Sequence, residues 1–170
     1  MDTSALLIEA YRRIRELVGV ASEGLDPTGL IYRPESGSNS IAWLVWHLSR
    51  VQDDHLSEIA GTDQVWADPG WTERTGINRG VTETGYGDGP DDVAAVVPIS
   101  VEALVAYHSA VMDRTMEYLA GADESELDRI IDHSYDPPVS VGVRLVSVIS
   151  DNLQHAGQAR YLRGIIERLP

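Results

Sequence analysis

The chain has no cysteine. It can form no disulfide framework and carries no thiol nucleophile, so any thiol chemistry must use a thiol supplied from outside. Lysine and phenylalanine are also missing, and all 13 basic residues are arginine. That bias has no folding explanation and fits a GC-rich coding sequence. Positive charge is scarce: 27 acids against 13 bases give a formal net charge of -14. Such a field repels phosphate backbones, and no basic cluster offsets it, which argues against nucleic acid as a partner. No apolar run reaches the roughly 20 residues of a membrane span. The opening stretch MDTSALLIEAYRRIRELVG mixes Asp2 and Glu9 with Arg12, Arg13 and Arg15, without the basic-then-apolar order of a signal peptide. The expected location is the cytoplasm.

What is there is an ordinary folding composition, 43% hydrophobic and 24% charged over 170 residues. That length suits one domain, residues 1–170, with a core of its own. Four segments show helical periodicity. The first runs from about Thr3 to Gly24, with Leu7, Ile14 and Val18 in its stripe. The second runs from about Ser40 to Ala60, with Leu44, Leu48 and Val51 inward and Gly61 as a stop. The third runs from about Val101 to Ala120 behind an N-cap at Ser100. The fourth runs from about Ser140 to Arg168, with Leu145, Val148, Asn152, His155 and Ala159 inward. Gly157 and Gly164 are expected to permit close packing there. The simplest architecture is an all-α, antiparallel four-helix bundle.

Two irregular links remain. Residues 61–99 form a long connection between the second and third helices, of the kind that serves as a lid or binding loop. A short helical turn is expected within Asp91–Val97. In residues 121–139, Asp123 and Glu126 fit a capping box for another short helix.

Four of the five histidines, His47, His55, His108 and His155, fall within predicted helices. At about 100° per residue, Asp151 and His155 lie about 40° apart on one side of the fourth helix. His155 and His108 sit inside their apolar stripes, and His55 is nearer the centre of its stripe than His47. A lone imidazole on an apolar face is more often a hydrogen-bonded core residue than a ligand. Several buried together with a carboxylate are costly unless they satisfy one another or bind an ion. An Asp-x3-His pair plus one His from a facing helix gives three ligands and an open coordination position. Zinc, ferrous iron and nickel all suit such a set. His47 and His55 are eight residues apart, about 12 Å along the axis, so only one is expected to be a ligand, and periodicity favours His55.

The stretches SIAWLVWHLSRVQDDHL and SDNLQHAGQARYLRG resemble the DinB-like superfamily of four-helix metalloproteins. The resemblance is closest to the actinobacterial branch related to mycothiol-dependent maleylpyruvate isomerase, and it spans essentially the whole chain. It implies that the His of a W-x-x-x-H-L pattern is a ligand, which selects His47 over His55. It implies further ligands at Asp151 and His155, with Asp standing where that branch has Glu. It also implies a divalent metal, zinc or nickel foremost, and reactions of low-molecular-weight thiols such as mycothiol.

The leading expectation is therefore a metal-dependent thiol S-transferase or isomerase acting on a small molecule. Around the metal ligands His47, Asp151 and His155, the substrate-lining candidates are His55, His108, Trp66, Trp71, Tyr86, Gln158 and Arg163. Loop 61–99 would cover the site. The alternatives are a metal-dependent hydrolase, with His55 or His108 as general base, and a non-catalytic bundle that binds a small ligand. Apolar helix faces are compatible with a homodimer.

Overall fold

The computed structural model describes residues 2–170. Among them the chain runs α1 (Thr3–Ser22), α2 (Pro27–Ile31), α3 (Ile41–Ala60), a 3-10 turn at Val65–Ala67, α4 (Gly70–Thr75), α5 (Pro90–Ala94), α6 (Val101–Gly121), α7 (Glu124–Asp128), strands β1 (Ile130–Asp132) and β2 (Val139–Ser140), then α8 (Val141–Ile166). The long helices α1, α3, α6 and α8 form the expected bundle. Each starts on a side-chain cap: Asp2, Ser40, Ser100 and Ser140 accept from the backbone N–H three residues on. Gly61 ends α3 at φ 65°, a conformation that glycine adopts without steric cost. α1 stops at Ser22, short of Gly24, because the backbone leaves helical geometry at Glu23, where ψ is 125°.

α1 packs on α6 and α8, and α3 packs on the same two helices, so α1 and α3 are diagonal. Side-chain bonds fix the directions. Ser4 reaches Ala122, so α1 and α6 run oppositely. Gln52 meets Asn152 and His55 meets Arg144, so α3 and α8 run oppositely. Ser49 meets His108 and Gln52 meets Thr115, so α3 and α6 run the same way. A parallel neighbour cannot follow a short turn. The chain must travel back along a helix of 20 residues, about 30 Å, which is the physical reason for the long 61–100 connection. The sequence expectation of a long link is met, with its cause now visible.

That connection is built rather than loose. It contains the 3-10 turn, α4 and α5, and it buries Trp66, Trp71, Ile77, Val93 and Val96 against α3 and α6. The core divides into two apolar clusters, one around α3 and the connection, the other around Tyr11, Ile14, Met112 and Leu145. The short β1–β2 ribbon precedes α8 and was not expected. Close helix packing falls at Gly142, where an added Cβ would stand 3.2 Å from Leu127 O, whereas a Cβ on Gly157 would meet nothing within 4 Å. Among the described residues, no helix is long and apolar enough to cross a membrane.

Candidate metal centre

α3 carries the first side chain of the site. Its residues from Ile41 to Arg50 are buried around the whole circumference, because α8 and α6 cover two sides and the long connection covers a third. Inward and outward faces therefore lose their meaning there. His47 is 5% exposed, and the His55 side chain is 33% exposed. The structure brings His47, rather than the His55 that periodicity favoured, together with Asp151 and His155.

Arg50 and Asp53 hold the connection against α3. Arg50 is 0% exposed and donates to Asp53, Tyr107, Gln64 and the backbone carbonyls of Val81 and Glu83. Asp53 accepts in turn from Val65 N–H and Trp66 N–H. Anchored at 81 and 83, the chain crosses over His47 as a strap. Thr84 C=O accepts from His47 Nδ1–H at 2.6 Å. Gly85 follows at φ 91°, and a Cβ there would lie 2.7 Å from His47 Nδ1. Trp43 stacks on the ring of His47 at 4.5 Å between centroids and 10° between planes. Its indole N–H donates to Asp88 at 2.9 Å, so the strap also fixes Trp43.

α8 supplies the rest. His155 Nδ1–H donates to Gln158 Oε1 at 3.1 Å, and its Nε2 lies 3.5 Å from Asp151 Oδ1. The rings of His47 and His155 stand 4.7 Å apart at 80°. Asp151 Oδ2 is buried without a hydrogen-bond partner. One donor atom from each of His47, Asp151 and His155 lies within 4.8 Å of the others. Metal–ligand bonds of about 2.0–2.2 Å require only a small closure from that spacing.

The outer partners matter as much as the spacing. A carbonyl oxygen at each Nδ1 takes the proton there, so that in the neutral ring each Nε2 is left with the lone pair. Burial lowers the His47 pKa, so that ring stays neutral. Burial opposes charge at His155 too, but its bonds to Asp151 and Gln158 prevail and raise it. Burial of Asp151 is likewise outweighed, by His155 first and then by the neighbouring His47 and His55, and its pKa is lowered. The donor chemistry, the Nε2 lone pairs and the orphaned carboxylate oxygen fit a divalent ion.

Beside the cluster lies a cavity of about 380 Å³, walled by Val51, Asp54, His55, Thr84, Tyr86 and Ser147 together with His47 and Asp151. Of the substrate-lining candidates, His55 and Tyr86 stand on this wall, and Gln158 touches the site through His155. Four candidates are not at the cavity. His108 is 1% exposed and bonds Ser49 inside the core. Trp66 packs edge-on against Trp46 and Tyr107 and donates to Arg79 C=O. Trp71 packs on Tyr107 beneath Arg74. Arg163 turns away to Glu23 C=O and Glu167. The connection needed its own core, and the two tryptophans went to that use.

Sequence reasoning missed Thr84, Gly85, Arg50 and Asp54. A backbone carbonyl leaves no mark in sequence. Arg50 and Asp53 left a faint one, two opposite charges three residues apart just after the largely apolar stretch Ile41–Leu48.

A family model described as Mycothiol-S-transferase matches residues 6–168. A solved structure described as a conserved protein from Enterococcus faecalis superposes with a TM-score of 0.90, at 29% identity, over 98% of each chain. A comparison with curated proteins gives no match.

Proposed function

The chain belongs to the mycothiol-S-transferase family, which is DinB-like, and from that premise we propose that it joins a low-molecular-weight thiol, mycothiol, through sulfur to an electrophilic small molecule, with a divalent metal ion held by His47, Asp151 and His155. The observation that carries this reading is the convergence of one ligand atom from each of His47, Asp151 and His155 within 4.8 Å of one another. Three protein ligands leave a coordination position open. A metal ion there supplies a deprotonated, nucleophilic sulfur at neutral pH. That is the one group a chain without cysteine cannot bring itself. The donor set accommodates zinc, nickel or ferrous iron.

The protein's own residues do the holding. Thr84 and Gln158 keep His47 and His155 in the ligating tautomer. Trp43 closes the face of His47 to water, and the cavity under Tyr86 receives the electrophile. The hydrolytic alternative needs a general base, and neither candidate suits it. His108 is sealed in the core. Arg144 already donates to His55 at Nδ1.

Protein purified without a chelating tag is expected to carry a divalent metal on elemental analysis. Cobalt-loaded protein should give an intense near-ultraviolet charge-transfer band on addition of mycothiol, and the His155→Ala variant should lose it. Wild-type protein that takes up no divalent ion defeats the metal. Wild-type protein that binds cobalt, yet gives no band with mycothiol, bacillithiol or glutathione, defeats the thiol.

A further inference from the structure

His55 stands on the cavity wall and has a second partner of unusual kind. Its Nδ1 lies 2.9 Å from Arg144 Nη1. A guanidinium only donates, so Nδ1 must hold the ring's lone pair and Nε2 must hold its proton. Glu58 Oε2, the other neighbour of Nδ1, is 3.8 Å away, beyond hydrogen-bond reach. Arg144 is itself steadied by Glu58 at 3.0 Å and Asp132 at 3.4 Å. His55 Nε2 has no hydrogen-bond partner among the described residues and is not among the buried unpartnered atoms. Its N–H is therefore accessible, on a ring that is one-third exposed and lines the cavity.

The ring stays uncharged at neutral pH. Burial lowers its pKa first and Arg144 lowers it further, against smaller opposing effects from Asp54 and Glu58. The wall around it largely accepts. Asp54 and Asp151 are carboxylates, and the Ser147 hydroxyl spends its hydrogen on Val143 C=O. A neutral N–H at such a cavity suits a ligand oxygen, above all one that gains charge as the reaction proceeds. Asp54 on the wall and the formal net charge of -14 disfavour an anionic ligand.

We propose that His55 donates its Nε2–H to the carbonyl oxygen of an uncharged α,β-unsaturated carbonyl electrophile, and that Arg144 is the positioning residue that fixes the proton. This rests on the thiol S-transferase reading. In the step, the thiolate pair forms a carbon–sulfur bond at the β-carbon and the alkene π pair moves toward the carbonyl oxygen. His55 stabilises that oxygen by hydrogen bonding and keeps its own proton. The proton lost by the thiol returns to the α-carbon from solvent. Thiol and enone thus give a thioether, with no oxidant or reductant needed.

Three measurements test it. In histidine-labelled protein, long-range proton–nitrogen spectra at pH 7.5 should show His55 as the Nε2–H tautomer, and Arg144→Leu should change that pattern. A Nδ1–H or doubly protonated ring overturns the proposal. A saturated ketone labelled with carbon-13 at the carbonyl should shift downfield when bound to wild type and not with His55→Phe, whether or not any substrate turns over. An equal shift in both overturns it. With mycothiol as the thiol, His55→Phe should lose about 10²-fold more in kcat/KM for an unsaturated ketone than for an alkyl halide, and His55→Gln should recover part of that difference. Equal losses for both electrophiles, or a loss confined to the thiol's KM, overturn it. Wild type that conjugates neither electrophile defeats the S-transferase reading instead, and the spectra and the ketone shift then decide His55 alone.

Discussion

At the scale of single residues, the site depends on a position with no side chain. Gly85 combines a φ of 91° with a would-be Cβ 2.7 Å from His47 Nδ1, 3.1 Å from Trp46 and 3.2 Å from Trp43. Neither indole can retreat, because both are packed in the core. Gly85→Ala is therefore expected to push the strap outward and break the bond from His47 to Thr84. Losing such an outer partner weakens metal binding by about 10- to 100-fold, which competition with a chromophoric chelator would measure. An unchanged affinity would mean that the strap does not orient His47. His155, held from its own helix by Gln158, should keep its orientation in the same variant.

At the scale of elements, the strap is part of α3's packing through Arg50. This guanidinium and the Asp53 carboxylate are both buried, 3.2 Å apart. Breaking a buried pair by removing one partner costs about 3–5 kcal/mol. Arg50→Met is expected to cost that much in urea unfolding. It should also speed amide exchange at residues 80–88 more than in the middle of α1, which lies across the bundle. Uniform acceleration throughout the chain would contradict a local anchor. The same elements mark what could be read beforehand. The four long helices were legible because Ser40, Ser100 and Ser140 announce their starts and Gly61 announces a stop. Asp151 and His155 were legible as one helix turn. His47 was legible only through family resemblance, since α3 is buried on every side there and periodicity carries no information. The roles of Trp66 and Trp71 were not legible. A tryptophan in a long link looks the same whether it lines a cavity or fills a core, and only the parallel run of α3 and α6 makes that link long enough to need a core.

At the scale of the whole molecule, His108 ties stability to pH. Burial lowers its pKa to about 3, against an unfolded value of about 6.5. Between those values the unfolded chain binds the proton and the native protein does not. Its contribution is complete above about pH 6.5 and is lost as pH falls toward 3. The slope approaches 1.4 kcal/mol per pH unit. Urea midpoints measured from pH 7 down to 5, above most carboxylate titration, should fall in wild type. His108→Gln should start lower and give a flatter line. Parallel lines would mean that His108 gains its proton in the native state as easily as in the unfolded one.

The carbonyl that orients His47 belongs to Thr84, yet nothing in it is particular to threonine. Any residue at that position presents the same oxygen, so substitutions there are free to accumulate while the site keeps its tautomer. A systematic replacement of side chains would score position 84 as dispensable and its neighbour, a glycine, as intolerant. The reader of such a scan would see a sensitive spot beside the true contact. The part of this centre that chooses which nitrogen keeps its lone pair is thus written in the main chain, where heredity cannot edit it one letter at a time.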